Sequence, residues 1–491
     1  MKEKFKIMIV DPHPATRKNY REILEQDRAF QIDEAGSGEE ALRKAGKTPP
    51  DLLICDQDLP DMEGIALCNR LKGEGNTTPA GAYVVVISSG EKRVDRVRLI
   101  DAGADDHLLK PVRPDELLAR AKVAQRIVGL MRKTEMESRR MFQEMDVLLI
   151  QEGGCAPGYN PVTAFITYHL EAIGREIFAT REGFKSLVSG KNEDFLRLVY
   201  DPELYKRLDH IPGVFHAAPL SEWRGAQLRS ERYRDFLKPE IQKKAVATIR
   251  RRKVKAVIAI GGNGTFRGIR TLCEMLSTSI QAFFIPVTID SDVAGTECIG
   301  QHTGVEMGAE RIRCYMADAR THKRTYIVEM MGANSGFHAL HSCLGARAHL
   351  AVLPNSVIDH RKVVEALNQR DSCVIVVAEG YKKKEREAEG SSENAAEYFY
   401  KELLQTGLEI KRRVVCEPFS RDIRGAAPNN MDISLAQRMA FNVASYLKAG
   451  TSRLMPAVQS GREYAIPFNE IQTDNMKEKA LLVLADRLTN T

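Results

Sequence analysis

The sequence predicts an α/β protein in two parts, a doubly wound parallel sheet followed by a larger α/β region. Three observations carry that prediction. Short apolar runs at residues 6–10, 52–55, 83–87 and 107–109 alternate with amphipathic stretches, the pattern of parallel strands covered on both faces by helices. A second series starts at Asp146-Val-Leu-Leu-Ile150 and recurs at 256–260, 283–285, 325–329, 351–353 and 374–378. Between the two series, residues 114–145 hold no proline after Pro114 and one glycine, Gly129, which predicts a long helix.

Taken in order, residues 1–125 supply five βα units once the weaker strand at 30–34 is added. Such a sheet keeps its polar site beyond the C-terminal ends of its strands, and those ends carry Asp11, Asp56, Ser88 and Lys110. Residues 126–145 complete a connecting helix whose apolar stripe runs through Leu117, Leu118, Ala121, Ile127, Leu130 and Met131. A solvated connector fits this stripe, and so does a helix that pairs with a second subunit. Residues 146–491 form the larger region, and the polar, low-complexity stretch 382–397 within it is expected to be a mobile insertion.

Composition excludes several classes. With 43% hydrophobic and 28% charged residues over 491 positions, the chain is a globular protein of two or three cores, not a disordered one. Its net charge of +6 is the small difference between 72 basic and 66 acidic residues and implies no nucleic acid. The basic run 250–255 abuts a strand and has no aromatic stacking pattern beside it. No apolar run approaches membrane-spanning length, and 7–10 is too short for a signal-peptide core. Nine scattered cysteines without a CxxC pair point to reduced thiols and a cytoplasmic location, with no membrane partner.

The most informative segment is 256–296. The turn Gly261-Gly262-Asn263-Gly264-Thr265 follows an apolar run and brings backbone N–H groups to a helix N-terminus, where phosphates bind. Thr288-Ile289-Asp290-Ser291-Asp292 follows the next run and sets two carboxylates on one face at strand spacing. A phosphate cradle facing a general base is the equipment of a phosphoryl transferase.

These two turns resemble the Gly-Gly-Asp-Gly-Ser/Thr and Thr-Ile-Asp-Asn-Asp motifs of the phosphofructokinase family, in the same order. Gly153-Gly154-Cys155-Ala156-Pro157-Gly158-Tyr159-Asn160 is similar to that family's donor-nucleotide turn, and Gly183-Phe184 to its Gly-Tyr turn. Arg232 closes a segment similar to Gly-Thr-x-Leu-Gly-Ser-x-Arg. The resemblance spans 146–491 and implies a two-lobed α/β fold. It implies donor-nucleotide contacts at Gly153, Phe184, Arg232, Gly262, Asn263, Gly264 and Thr265. It implies that Asp290 is the base, that Asp292 and Asn263 hold Mg²⁺, and that Thr288 lies near the transferred phosphate. On the sugar side it implies Arg324 (from a neighbouring subunit), Met331, Gly332, Glu379, Arg421 and Arg424. Asp432 continues the register of Arg424, and a second cross-subunit cation is Lys411, Arg412 or Arg413. Arginine suits such positions because its planar fork binds phosphate through two hydrogen bonds.

Departures fall near the chemistry. Asn263 stands where the family has a metal-binding aspartate, and its amide oxygen brings no charge. Ala333 replaces a sugar-facing arginine, Arg421 a histidine and Ser291 an asparagine. Pyrophosphate-using members place Asp at the position of Gly264 and Lys at that of Val287, so this chain resembles the ATP users.

Asp56, with Gln57-Asp58-Leu59-Pro60-Asp61 after it, Ser88 and Lys110-Pro111 resemble the receiver domain of response regulators, over roughly 5–125. The resemblance implies a flavodoxin-like (βα)5 fold, phosphorylation of Asp56 by a sensor histidine kinase, a Ser88/Lys110 switch, and Mg²⁺ held by Asp11 and Asp56. Pro12 takes the place of the family's second acid and offers no side-chain oxygen, and His107 stands where a Tyr or Phe is usual. A receiver fold kept only for docking is the competing expectation.

Together these features lead to an ATP-dependent, Mg²⁺-assisted kinase converting fructose 6-phosphate, or a related sugar phosphate, to fructose 1,6-bisphosphate as a homo-dimer or tetramer. The alternative is a catalytically impaired sugar-phosphate or nucleotide sensor in two-component signalling.

Overall fold

Five parallel strands build the first sheet: β1 (Phe5–Val10), β2 (Phe30–Ala35), β3 (Leu52–Asp56), β4 (Tyr83–Ser89) and β5 (Asp106–Lys110), in the order β2-β1-β3-β4-β5. The structure is a computed structural model and describes residues 4–72, 82–89, 99, 101, 103–354, 356–419, 421–472 and 485–489. Every residue of β3 is buried because helices cover both faces of the sheet. Ile7, Ile9, Ile54, Val85 and Ile87 pack with helices Pro14–Leu24 and Pro114–Met141 on one side. Met8, Val10, Leu53, Cys55, Val84 and Val86 pack with Gly38–Lys47 and Gly64–Lys72 on the other. β2 lies at the edge, and its mixed burial explains its weaker sequence signal. The chain leaves β1 towards β2 on one side and reaches β3 on the other. That reversal opens a crevice beyond the ends of β1 and β3, where Asp11 and Asp56 stand.

The Pro114–Met141 helix buries Leu117, Ala121, Ala124 and Val128, at the three-and-four spacing of one helix face. This corrects the expected stripe, since Leu130 and Met131 are 64% and 53% exposed. The 3.6-residue period carried forward from Leu117 runs through Ala124 and Val128 and turns Leu130 away, while Met131 stays on the same face and is exposed nonetheless.

The unit Met1–Glu137 is followed by a second, Ser138–Thr491. Its larger sheet contains β6 (Val147–Gln151), β7 (Ile177–Thr180), β8 (Phe195–Val199), β9 (Val214–His216), β10 (Ala256–Gly261) and β11 (Gln281–Pro286). The smaller contains β12 (Thr325–Met330), β13 (Leu350–Val352), β14 (Cys373–Ala378) and β15 (Val414–Pro418). β16 (Leu454–Gln459) and β17 (Arg462–Pro467) return to the larger sheet, giving β17-β16-β11-β10-β6-β7-β8-β9 beside β13-β14-β12-β15. Only β7–β8 and β16–β17 pair antiparallel among the described strands. One core joins the two sheets: Val147, Leu149, Ile258, Ile260 and Phe283 pack in the same cluster as Val328, Met330, Val374 and Val376. Burying each such side chain contributes about 1.5–3 kcal/mol, and β10 is accordingly buried throughout.

Two expectations change here. Residues 382–397 are built in: Lys383–Ala388 is helical, and Asn394 with Glu397 forms a capping box on helix Ala395–Gln405. Arg386 donates to the carbonyls of Tyr381, Glu379 and Glu393, which ties the segment down despite its polar composition. β11 ends at Pro286 and Ser291 adopts φ +47°, so a turn rather than a pleat sets Asp290 and Asp292. Among the described residues no helix is long and apolar enough to cross a membrane.

Candidate functional site

β6, β10 and β11 are adjacent and parallel, so the segments that follow them meet at one end of the larger sheet. They line a cavity of about 800 Å³ that holds Gly153, Phe184, Arg232, Gly262, Asn263, Gly264, Thr265, Thr288, Asp290, Asp292 and Arg424. A Cβ on Gly154 would lie 2.8 Å from Arg424 Nη1 and 3.3 Å from Arg232 Nη2, so both guanidiniums converge on this turn. The helix Asn263–Met275 opens from Gly262 with its N-terminus at the cavity. N–H groups of a first helical turn have no partner inside the helix and suit an anion.

Glu152 organises these segments. Its carboxylate accepts from the N–H groups of Phe184 and Tyr233, both at 2.8 Å. Its carbonyl accepts from Tyr159 Oη at 2.7 Å and Thr265 Oγ1 at 2.8 Å. Gly183, at φ +53°, is needed beside it, because a Cβ there would lie 2.1 Å from Glu152 Oε2. Burial pushes the Glu152 carboxyl up to about 7. Phe184 stacks on Phe236 at 3.8 Å between centroids, giving the cavity an aromatic wall.

Asp290 and Asp292 add two further carboxylates to the cavity. Burial, then the charge of Asp292, pushes Asp290 up to about 6. Burial also raises Asp292, while hydrogen bonds from the Asn263 N–H and the Thr288 hydroxyl pull the other way. Thr288 Oγ1 accepts from the Asp290 N–H at 3.0 Å and fixes the turn. One oxygen of each acid, Oδ1, is buried without a hydrogen bond. Two orphaned hard oxygens fit Mg²⁺, which keeps several waters and takes only one or two protein carboxylates. Among the described residues no group of three His, Cys, Asp or Glu forms a closed metal cage.

A second cavity of about 360 Å³ holds Glu329, Glu379, Lys383 and Arg386, and Ala333 lines both cavities. Glu379 Oε1 accepts from the Ala333 N–H at 2.6 Å.

In the first unit, Lys110 Nζ reaches Asp11 Oδ2 at 3.1 Å and also bonds Asp56. Asp11 Oδ1 accepts from the His13 N–H and Asp56 Oδ1 from the Asp58 N–H. Burial and the adjoining Asp56 carboxyl push Asp11 up. For Asp56, burial is outweighed by Lys110 and the Asp58 N–H, which hold it below the usual carboxylate range. Asp56 is thereby held ionised, though it is buried and each of its oxygens already accepts a hydrogen bond. Ser88 Oγ bonds His107 Nε2 at 2.8 Å, so the residue in the place of an aromatic switch is in direct contact with the hydroxyl.

The phosphofructokinase family model matches residues 146–447, and the response regulator receiver domain model matches residues 7–122. The chain belongs to the phosphofructokinase family. The ATP-dependent 6-phosphofructokinase of Aquifex aeolicus is 28% identical over 337 residues, 67% of this chain and 94% of that protein. ATP-dependent 6-phosphofructokinase 1 of Thermus thermophilus is 28% identical over 344 residues, 68% of this chain and 97% of that protein. Solved structures show the same fold. Phosphofructokinase from Pichia pastoris in the T-state has a TM-score of 0.56 at 14% identity over 100% of this chain and 65% of its own. Phosphofructokinase from Saccharomyces cerevisiae has a TM-score of 0.54 at 20% identity, 67% of this chain covering 45% of that one.

Against that phosphofructokinase frame, the sugar-side residues divide. Arg424 joins the larger cavity and donates to the Cys155 carbonyl at 3.2 Å, while Glu379 lies in the second cavity. Met331, Gly332, Arg324 and Arg421 line neither. Arg324 instead pairs with Asp318 at 3.3 Å, and Asp432 is buried and accepts from the Thr303 N–H at 2.7 Å, holding a helix in place. Arg412 donates to Thr325 Oγ1 and the Leu367 carbonyl. Sequence reasoning missed Glu152, Arg234, Phe236 and Arg267, all of which line the larger cavity. An acid immediately before Gly153-Gly154 was the available signal for Glu152. For the other three the signal is weak, because their place depends on how distant loops meet.

Proposed function

We propose that this chain transfers the terminal phosphoryl group of ATP to the 1-hydroxyl of fructose 6-phosphate, giving ADP and fructose 1,6-bisphosphate, under the control of its receiver unit. The observation that carries this reading is the buried Asp290, whose Oδ1 has no hydrogen bond and which shares one cavity with a helix N-terminus and the Arg232 and Arg424 guanidiniums. The sugar oxygen attacks the terminal phosphorus, the bond to the ADP oxygen breaks, and the hydroxyl proton passes to Asp290. Arg232, Arg424 and the N–H groups of the Asn263–Met275 helix stabilise charge on the phosphate chain. Asp292 would hold Mg²⁺, which neutralises phosphate charge when bound, leaving Asp290 to take the proton. Glu379, across the Ala333 wall, contacts the sugar in this reading.

In the receiver unit, a sensor histidine kinase passes phosphate to Asp56, and the Ser88–His107 pair and Lys110 respond to it. The deciding experiment couples ADP release to formation of the sugar bisphosphate across several sugar phosphates, with ATP and with pyrophosphate. ADP and bisphosphate formed in equal amounts support the kinase; binding without either product supports a sensor. The sensor reading draws on Asn263, whose amide oxygen accepts from Arg267 Nε at 3.0 Å, and on Ala333.

A further inference from the structure

Arg267 lies on the wall of the donor cavity, four residues after Asn263 and one helical turn along the Asn263–Met275 helix. Its Nε donates to Asn263 Oδ1 at 3.0 Å. That bond fixes the plane of the guanidinium and leaves its terminal Nη groups for other acceptors, since the fork carries five N–H donors. The side chain is exposed towards the cavity, and no other hydrogen bond or ion pair of its guanidinium is seen among the described residues. Arg232, Arg234 and Arg424 line the same cavity, opposed by Glu152, Asp290 and Asp292. The family's carboxylate at the position of Asn263 would add a negative charge here and require a cation. The amide adds none, and the residue it holds is itself a cation.

We infer that Arg267 is a donor-specificity residue that binds the polyphosphate chain of the nucleotide, and that Asn263 positions it. The pair replaces part of the neutralisation that a carboxylate-held metal ion supplies, so nucleotide affinity depends less on the metal. A guanidinium can bind two phosphate oxygens at once, and it sits at the positive end of the helix that already faces the anion. Each charge-assisted bond of this kind is worth about 1.5–3 kcal/mol, so losing one weakens binding about tenfold or more.

This inference rests on the reading of the cavity as an ATP site, and the test separates the two. Equilibrium binding of ATP and of AMP to the full-length protein is measured by titration calorimetry, once in EDTA and once in excess Mg²⁺. Wild type, Arg267→Ala and Arg267→Lys are compared; the position is exposed, so the fold tolerates both changes. The expected result is that Arg267→Ala loses about tenfold or more for ATP in EDTA and less in Mg²⁺, with AMP affected least and Arg267→Lys intermediate. An equal loss for ATP and AMP, or equal losses with and without metal, would assign Arg267 a structural role and overturn the inference. Unchanged ATP binding in the variant would overturn it alone. Absence of ATP binding to wild type would remove both this inference and the proposed activity.

Discussion

A Cβ placed on Gly304 would lie 2.0 Å from Cε1 of His338. The imidazole therefore occupies the volume that any larger residue at 304 would need, between helices Gln301–His322 and Phe337–Ala346. His338 is fully buried, and burial, then the charge of Arg424, pushes it down to about 4, so the ring is neutral in the working range. Its helix begins one residue after Asn334 and Ser335, which line the larger cavity. Packing at 304 and 338 thus sets where that wall stands.

Gly304→Ala should destabilise the protein by about 1–3 kcal/mol, the usual range for overpacking. The same change in a His338→Ala background should cost nothing or stabilise, because the obstructing ring is gone. Urea denaturation of the four proteins gives the coupling energy directly. Additive effects would mean that the helices part easily and that the fit is incidental.

Asp290→Asn should lower kcat by about 10²–10⁴-fold while sugar-phosphate affinity changes little, as for loss of a general base. Because burial and Asp292 raise the Asp290 pKa to about 6, kcat/KM should fall as pH drops through about 6, where the base takes up its proton. Turnover near the wild-type level in the variant would remove Asp290 from the chemistry.

Glu152→Gln should leave the N–H of Phe184 or Tyr233 facing an amide N–H₂, costing about 1–3 kcal/mol. The KM for ATP should rise with it, since the aromatic wall and the Arg232 segment share that anchor. The sign with pH follows from the upward shift to about 7. The contribution of Glu152 is full below its unfolded value near 4.5 and lost as pH rises through 7. The Tm advantage of wild type over Glu152→Gln should therefore shrink between about pH 4.5 and 7.

Assembly is tested through Arg324, which lies outside both cavities of its own chain. If it serves a neighbouring subunit, light scattering should find at least a dimer, and Arg324→Ala should raise the KM for the sugar phosphate without changing that for ATP. A fully active monomer would leave Arg324 as the partner of Asp318 alone.

For the receiver, acetyl phosphate or beryllofluoride should shift turnover or oligomeric state in wild type and leave Asp56→Ala unchanged. A coupling of about 1–3 kcal/mol, roughly 5–150-fold in affinity, is the expected scale. No response in wild type would make this unit a docking module, with Pro12 as the missing acid.

Much of this was legible in the sequence because the central strands are apolar without interruption. β1, β3, β4, β10, β12 and β14 lie where their runs predict, each buried on both faces. The glycine turns were legible because close backbone approach leaves few other residues. What escaped was whatever two distant segments decide together. Glu152 looks like an ordinary acid until Phe184 and Tyr233 are brought to it. Arg267 looks like any surface cation until the fold sets it on the cavity wall. Residues 382–397 look unstructured because composition does not reveal that Arg386 is saturated by carbonyls.

The order β11-β10-β6 has one more consequence. Continuous backbone ladders join these strands, so the points from which the turns bearing Glu152, Gly262 and Asp290 depart are spaced as stiffly as the sheet itself. Glu379 follows a strand of the other sheet, which meets the first across interdigitated side chains and the hydrogen bonds between Arg424 and Cys155. The site is therefore a vice with one fixed jaw and one sprung jaw, and small repacking between the lobes would reshape the cavity at Glu379 while the cavity at Asp290 kept its geometry.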